Sequence, residues 1–373
     1  MKTEHASQNL YKSLQGGRRP GRFASFAGCL LLILGSNLAL AAEKITLTAI
    51  DAYAPTSSWT RVFIDYYIPE VDRRLALTGN YEIKWIKAFS GTVAKHKGVL
   101  DALKYGIGDI GIVTTPFHPD KVPFYNLSYA TPFVTSDADL VGKVMTDLAD
   151  RYPSVKNEWK KYNQVSLATL GNIDNYQVFM SRPIKSLDDF KGTKIAGVGI
   201  NLRYVGGVGA VAVGSNLADY YNNIDTGLVD GAVIWSEAAT AYKIYEVAQS
   251  YVDIGIGATN SKVVNVNTRT WERLPEEVKQ VLASTAVDYR DALAKDVIEK
   301  GIKARQEYVE NGGNIVTLTE EQRSYWANSL PNLAREWVED MEARGFPGEA
   351  ILKDYMDIMR ANNQPILREW DRE

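Results

Sequence analysis

The side chains that could do chemistry are few, and their spacing suits catalysis poorly. Past residue 41, only His96 and His118 offer an imidazole. Neither shares a helical face with a second histidine, the spacing that holds zinc. His96 lies between Lys95 and Lys97 and reads as a solvated helix surface, and His118 lies in the turn Pro116-Phe117-His118-Pro119. There is no Gly-x-Ser-x-Gly elbow to present a nucleophile. Gly199 to Gly209 lacks the strict spacing of a dinucleotide loop. Asp230, just before Gly231, reads as a turn residue between a helix and a strand rather than a catalytic carboxylate. A nucleophile–base set cannot be assembled, so no catalytic residue, metal or cofactor is expected.

The start of the chain points to export. Arg18, Arg19 and Arg22 form a basic flank, Phe26 to Leu40 is mostly apolar, and Ala39-Leu40-Ala41 has the small-x-small form of a cleavage site. That layout is a secretory signal peptide over residues 1–41, with an apolar run too short to cross a bilayer comfortably. Arg18-Arg19 is followed poorly for a twin-arginine signal. Cys29 precedes the apolar run Leu31-Leu32-Ile33-Leu34, the wrong order for lipid attachment. The expected compartment is the periplasm, where ATP and nicotinamide cofactors are not supplied.

Of 373 residues, 332 remain after such a cleavage, more than one ordinary core needs and suited to two domains or one bilobed unit. Cys29 is the only cysteine, so the remaining chain has no disulfide and relies on its core, for which a 45% hydrophobic content is ample. The whole chain carries a formal charge of −3. Five cations and one carboxylate in residues 1–41 leave the remainder near −7, acidic and without a basic tract for nucleic acid.

The elements alternate. Ile45, Leu47 and Ala49 set one face of a strand over 44–50; Tyr81, Ile83 and Trp85 set another; 109–114 is a short buried strand. Between them, Thr56-Ser57-Ser58 offers hydroxyl caps to a helix bearing Val62, Phe63, Tyr66 and Tyr67, and a second helix is expected over 93–105. A helical stretch over 137–162 precedes strands at 165–170, 176–180 and 193–196. The Gly-rich segment around Gly206, Gly207 and Gly209 interrupts the next helix; a helix over 218–226, a strand over 228–234 and a helix over 238–247 follow. Pro275 opens a long helix to about Tyr308, and Thr319 with Gln322 caps another ending at Gly345. Strand–helix alternation of this kind implies an α/β sheet.

Several segments resemble one family. Ser186-Leu-Asp-Asp-Phe-Lys-Gly192-Thr-Lys-Ile195, Tyr220-Tyr-Asn-Asn-Ile-Asp-Thr-Gly227-Leu-Val-Asp230-Gly231, Tyr245-Glu246-Val247-Ala248, and Val264-Asn265-Val266-Asn267 ahead of Trp271 and Leu274-Pro275 occur in order. With Leu103-x-x-Gly106-x-x-Asp109 and Thr131-Pro132-Phe133, they resemble substrate-binding proteins of tripartite ATP-independent periplasmic (TRAP) transporters. The resemblance implies a bilobed α/β periplasmic binding protein, with a ligand cleft between two lobes and long hinge-spanning helices. It implies lobe 1 at 42–172, with about 257–300 returning to it, and lobe 2 at 173–256, with about 301–373 packing on it and across the hinge. It further implies a small organic acid as ligand, integral-membrane TRAP permease subunits as partners, and no nucleic acid. A periplasmic sensor feeding a membrane kinase, or a periplasmic hydrolase, are the alternatives.

One departure from that family is chemically large. Its usual arginine, a planar clamp for the ligand carboxylate, falls on Ala196 here. An anion buried without a cation costs several kcal/mol, so an acid would need another partner. Arg203 is the basic candidate nearest in sequence; Asn175 and Tyr176 are neutral donors; Tyr204 and Trp235 are surfaces for an aromatic or apolar ligand body. Tyr53 and Trp59, after the first strand, join them because clefts form at strand-to-helix loops.

Overall fold

The alternation at Ile45, Leu47 and Ala49 becomes β1 (Glu43–Ile50), with Leu47 and Ala49 wholly buried. A computed structural model describes residues 41–373, so the expected signal peptide lies outside the described residues except for Ala41. Parallel partners flank β1: β2 (Tyr81–Ala88) on one side and β3 (Ile110–Thr114) on the other.

Two long strands form the middle of the molecule. The expected strands at 165–170 and 176–180 are one continuous β4 (Gln164–Met180). The 18-residue β8 (Ser250–Asn267) runs antiparallel to it. On β8, residues 262–266 pair with β3, while 250–257 face the end of β4, which pairs in turn with β7 (Gly231–Trp235). Beyond β7 lie β5 (Lys194–Gly197) and β6 (Val211–Gly214), and β9 (Asn314–Thr317) pairs with β8. The result is one mixed sheet in the order β2-β1-β3-β8-β4-β7-β5-β6. β2-β1-β3 forms one wing and β7-β5-β6 the other, and both hang on β4 and β8. Register shifts interrupt the β4–β8 ladder between Ser166 and Val178, where it passes from one wing to the other. Bulges there bend and twist a strand pair without cutting it.

Helices cover the sheet. Gly171 shows how closely: a Cβ there would lie 1.8 Å from the Ala138 carbonyl oxygen, so only glycine lets the helix Ala138–Arg151 settle on β4. Helix Glu276–Glu310, 35 residues and roughly 50 Å long, reaches both wings. Tyr289 Oη on it donates to the Trp59 carbonyl at 2.7 Å on the first wing. Further along, its Ala304 carbonyl accepts from Thr240 Oγ1 at 3.3 Å and Tyr308 Oη donates to the Ala248 carbonyl at 2.5 Å on the second. Among the described residues no helix is long and apolar enough to cross a membrane.

Several local expectations need correction; the helix expected over 238–247, for one, ends at Ala241 and is followed by a separate 3₁₀ turn, Ile244–Glu246. The helix expected over 93–105 is confined to Val99–Lys104, leaving 92–98 as loop. The 137–162 stretch breaks at Tyr152-Pro153, where proline disfavours a helical residue before it. The Thr319–Gln322 capping box forms, but its helix stops at Ser329, just short of Pro331, and a separate helix Leu333–Ala343 follows.

Candidate functional site

The loops leaving β1 and β3 meet those leaving β5 and β7 around a cavity of ≈ 230 Å³. At the end of β1 the Asp51 carboxylate is buried and accepts from Thr60 Oγ1 at 2.6 Å and from the Tyr53 amide at 3.4 Å. Tyr53 turns back over this point, its ring edge-to-face with Trp59 at a centroid distance of 4.9 Å. Trp59 sits on the short helix Ser58–Val62, held from behind by Tyr289.

The one ammonium on the cavity comes from β8. Lys262 pairs with Thr114 on one side and Leu170 on the other, deep in the sheet, and its side chain is 2% exposed. Its Nζ donates to Thr114 Oγ1 at 3.0 Å and lies 4.6 Å from the Tyr53 ring centroid and 4.3 Å from that of Trp59. Burial pushes the Lys262 ammonium down to about 7, with the Asp51 carboxylate opposing part of the shift. Burial likewise pushes Asp51 up to about 6, against the Thr60 hydrogen bond and the Lys262 charge. Two coupled, dehydrated groups therefore change charge near neutrality.

His96 completes this wall. Its ring centroid is 4.3 Å from that of Tyr53. Partial burial and the nearby Lys262 and Lys95 hold its imidazole below its usual range, so it is neutral at pH 7. The Nδ1 of His96 and the Nε1 of Trp59 are buried and, among the described residues, have no hydrogen-bond partner.

The opposite wall is aromatic and polar but uncharged. Tyr176 and Trp235 face each other across the β4–β7 ladder, edge-to-face at 5.8 Å and 89°. Tyr129 Oη lies 3.2 Å from Tyr176 Oη. Trp59 and Trp235 approach across the cavity at 6.4 Å. Asn201, buried with its Oδ1 accepting from the Val198 amide at 2.6 Å, and Asn216 also line the cavity. The walls are tied outside the cavity: Ser58 Oγ donates to Glu237 Oε1 at 2.6 Å, and Glu237 Oε2 accepts from Trp235 Nε1 at 3.1 Å. Of the expected hydroxyl caps, Ser57 stands at the N-cap without a capping hydrogen bond, and Ser58, the first helical residue, commits its hydroxyl to the facing wing.

The structure brings Tyr53, Trp59, Tyr176 and Trp235 together on this cavity and leaves the other three expected residues off it. Tyr204 stands one layer behind, fully buried, its hydroxyl donating to the Tyr129 carbonyl at 2.7 Å. Asn175 faces away: its Oδ1 accepts from the Gly257 amide at 2.9 Å, in a stretch where Gly257 has a φ of 128°. Arg203 is the larger correction. It lies on a surface 3₁₀ segment, and its Nη2 donates to Glu336 Oε1 at 2.8 Å. It is nearest to Ala196 in sequence, but its charge is already paired outside the cavity. His96 is also corrected, from helix surface to cavity wall. Asp230 is a turn residue, its carboxylate accepting from the Lys194 amide at 2.7 Å.

Sequence reasoning missed Lys262 and Asp51. The available signal was a lysine set directly before Val263-Val264, inside a segment with strand character. Among the described residues there is no cluster of three His, Cys, Asp or Glu that could hold a metal ion. The cavity offers a ligand one dehydrated cation, aromatic faces and neutral donors. A volume below the ~300–1,000 Å³ of drug-sized sites implies a small occupant.

Known proteins of the same shape exist. The family described as bacterial extracellular solute-binding protein, family 7, matches residues 75–341. The sialic acid-binding periplasmic protein of Vibrio cholerae is 26% identical over 169 residues, covering 44% of this chain and 51% of that protein. The C4-dicarboxylate-binding periplasmic protein of the same organism is 25% identical over 219 residues, covering 57% and 63%. The match thus spans between half and two thirds of these relatives' length. Among solved structures, a marine-metagenome TRAP solute-binding protein, specific for aromatic acid ligands and in complex with 3-hydroxybenzoate, superposes with a TM-score of 0.74 at 19% identity. It covers 86% of this chain and 99% of that one. The likeness establishes a bilobed α/β fold.

Proposed function

The chain belongs to family 7 of the bacterial extracellular solute-binding proteins, and from that membership we propose that it is the receptor of a TRAP-type transporter, for a small organic acid with an aromatic or otherwise apolar body. The observation that carries this is the cavity itself: a cleft between two wings, walled by Tyr53, Trp59, Tyr176 and Trp235, with a single ammonium. Rings offer dispersion and edge contacts to a flat body, and a buried cation requires an anion to face it. The aromatic-acid specificity in the name of one structural relative points the same way. On this reading the exported chain works in the periplasm, the wings close about the β4–β8 crossing, and the loaded form is handed to integral-membrane permease subunits without turnover. On the same reading lobe 1 comprises 42–172 with about 257–300 returning to it, and lobe 2 comprises 173–256 with about 301–373 packing on it and across the hinge.

A thermal-shift screen of the chain from residue 42 onward, against benzoates, phenylacetates, keto acids, dicarboxylates and sugar acids, tests the proposal. An aromatic or apolar-bodied acid at a hundred times its dissociation constant should add about 2.7 kcal/mol of stability. Stabilisation by none of these acids would sink the receptor reading. Consumption of the acid during incubation would replace it with an enzymatic one.

A further inference from the structure

We infer that Lys262 is the anion anchor of this cavity, and that the cavity takes a monocarboxylate, whose one charged end meets the Lys262 ammonium while its flat body lies among the rings. This rests on the receptor reading above and names the ligand class and the residue that selects it.

The geometry at Nζ is the first ground. An ammonium has three N–H donors, and among the described residues Lys262 directs one of them to a protein acceptor, Thr114 Oγ1. Tyr53 and Trp59 cover it with ring faces, which attract a cation but accept no strong hydrogen bond. Trp59 Nε1, buried on the same wall and without a hydrogen-bond partner among the described residues, is a further donor suited to an oxygen ligand. Lys262 thus fills the chemical role left open by Ala196, from a different strand: Ala196 is on β5 and wholly buried, Lys262 on β8.

Charge balance is the second ground. Among the described residues, Lys262 is the only side chain on the cavity wall that can supply a cation near neutral pH, since burial holds the His96 imidazole below its usual range. One carboxylate is matched. A second would be dehydrated against neutral tyrosines, asparagines and tryptophans, and a carboxylate left buried without a cation costs several kcal/mol. Asp51, just behind Lys262, adds repulsion. A lysine also differs from the family's arginine in kind, because its ammonium is a point charge that lacks the fork donating to both carboxylate oxygens at once, and it loses its proton when dehydrated.

That last property makes binding depend on pH. The titratable groups around Nζ are Asp51 after β1, Tyr53 beside it and His96 from the loop 92–98. Burial keeps Tyr53 protonated throughout, His96 stays neutral from pH 7 upward, and Asp51 is ionised above about 6. Lys262, pushed down to about 7, is the group that changes charge above neutrality. Only its protonated form attracts the carboxylate, so ligand and proton enter together. Affinity is reduced by the protonated fraction of the free protein, and falls on the order of tenfold between pH 7 and pH 8.5.

Calorimetry with three probes tests this: benzoate, its neutral isostere benzamide, and the dianion succinate. Wild type should bind benzoate more tightly than either of the others. Repeating the benzoate titration at pH 8.5 in buffers of different ionisation enthalpy should show uptake of close to one proton. Lys262→Met should weaken benzoate binding by on the order of ten- to a hundredfold, the span of a charge-assisted hydrogen bond, and leave benzamide nearly unchanged. Where the variant does not fold, the proton count on wild type decides. Unchanged benzoate affinity in the variant, or no proton uptake, overturns the anchor and leaves the receptor reading intact. Succinate binding more tightly than benzoate, or binding of a dicarboxylate with no binding of any monocarboxylate in the wider screen, overturns the ligand class alone. Only stabilisation by no acid in the wider screen removes both.

Discussion

A lysine inside a sheet costs stability whenever it is charged, because dehydration removes more than a nearby carboxylate returns. Lys262 makes this visible as a pH dependence. Its folded pKa, about 7, lies below the value of 10.5 for a free lysine. Below pH 7 the folded and unfolded chains both carry the proton and the full penalty applies. Between about 7 and 10.5 the unfolded chain holds more protons, so stability rises with pH. Urea unfolding of ligand-free protein at pH 7 and pH 9.5 should therefore show the wild-type midpoint rising relative to that of Lys262→Met. Parallel behaviour of the two proteins would show that Lys262 keeps an ordinary pKa. At this scale the sequence was half legible. Ala196, where the resembling family has an arginine, pointed to a different polar partner; Tyr53 and Trp59 were named from their strand-to-helix loop, Tyr176 as a neutral donor and Trp235 as a stacking surface, and all four line the cavity. The replacement cation was not identifiable, because proximity to Ala196 along the chain favours Arg203, whereas proximity in space is decided by β8 and its register with β3.

Elements position these residues through a few long-range ties. The alternation of 43–50 and 81–88 suffices to place β1 and β2, since each has one apolar face. The length of β4 and β8 was hidden. β4 contains Gly171-Asn172-Ile173-Asp174-Asn175, which reads as a turn, and β8 contains Gly255 and Gly257. Both read as breaks in isolation, but each strand is continued by pairing with the other. The loop 92–98 was mistaken for helix because its Val93-Ala94 and lysines fit a helical stripe; its actual service is to carry His96 to Tyr53. The Ser58–Glu237 hydrogen bond is the tie whose loss should be felt most cleanly in kinetics, since it joins the helix after β1 to the segment after β7 and touches no cavity atom of Lys262. Ser58→Ala should raise the ligand dissociation rate by about tenfold, in keeping with a hydrogen bond to a charged group at the low end of its range, with little change in association. Stopped-flow fluorescence of Trp59 and Trp235 reads both rates. An unaltered dissociation rate would mean that the wings are held together elsewhere.

The whole molecule is two wings of one sheet joined by a bulged, two-stranded crossing, with a long helix spanning both. Such a design lets a small ligand decide the relative position of large parts, because the ligand's own contacts bridge the walls while the crossing flexes. The bilobed α/β architecture was legible in the sequence from element alternation and ordered motifs. The single continuous sheet was not, because it depends on which distant strands pair. The cavity rings and the buried cation support the proposal that an organic monoanion binds between Tyr53, Trp59, Tyr176 and Trp235 with its carboxylate on Lys262. The most direct measurement is a crystal structure of the protein with benzoate, or with the acid that stabilises it most. The account predicts a carboxylate oxygen at hydrogen-bond distance, about 2.7–3.2 Å, from Lys262 Nζ, and the ring in the cavity. A carboxylate held by Arg203, or a ligand seated outside this cavity with Lys262 still on Thr114 alone, would contradict it.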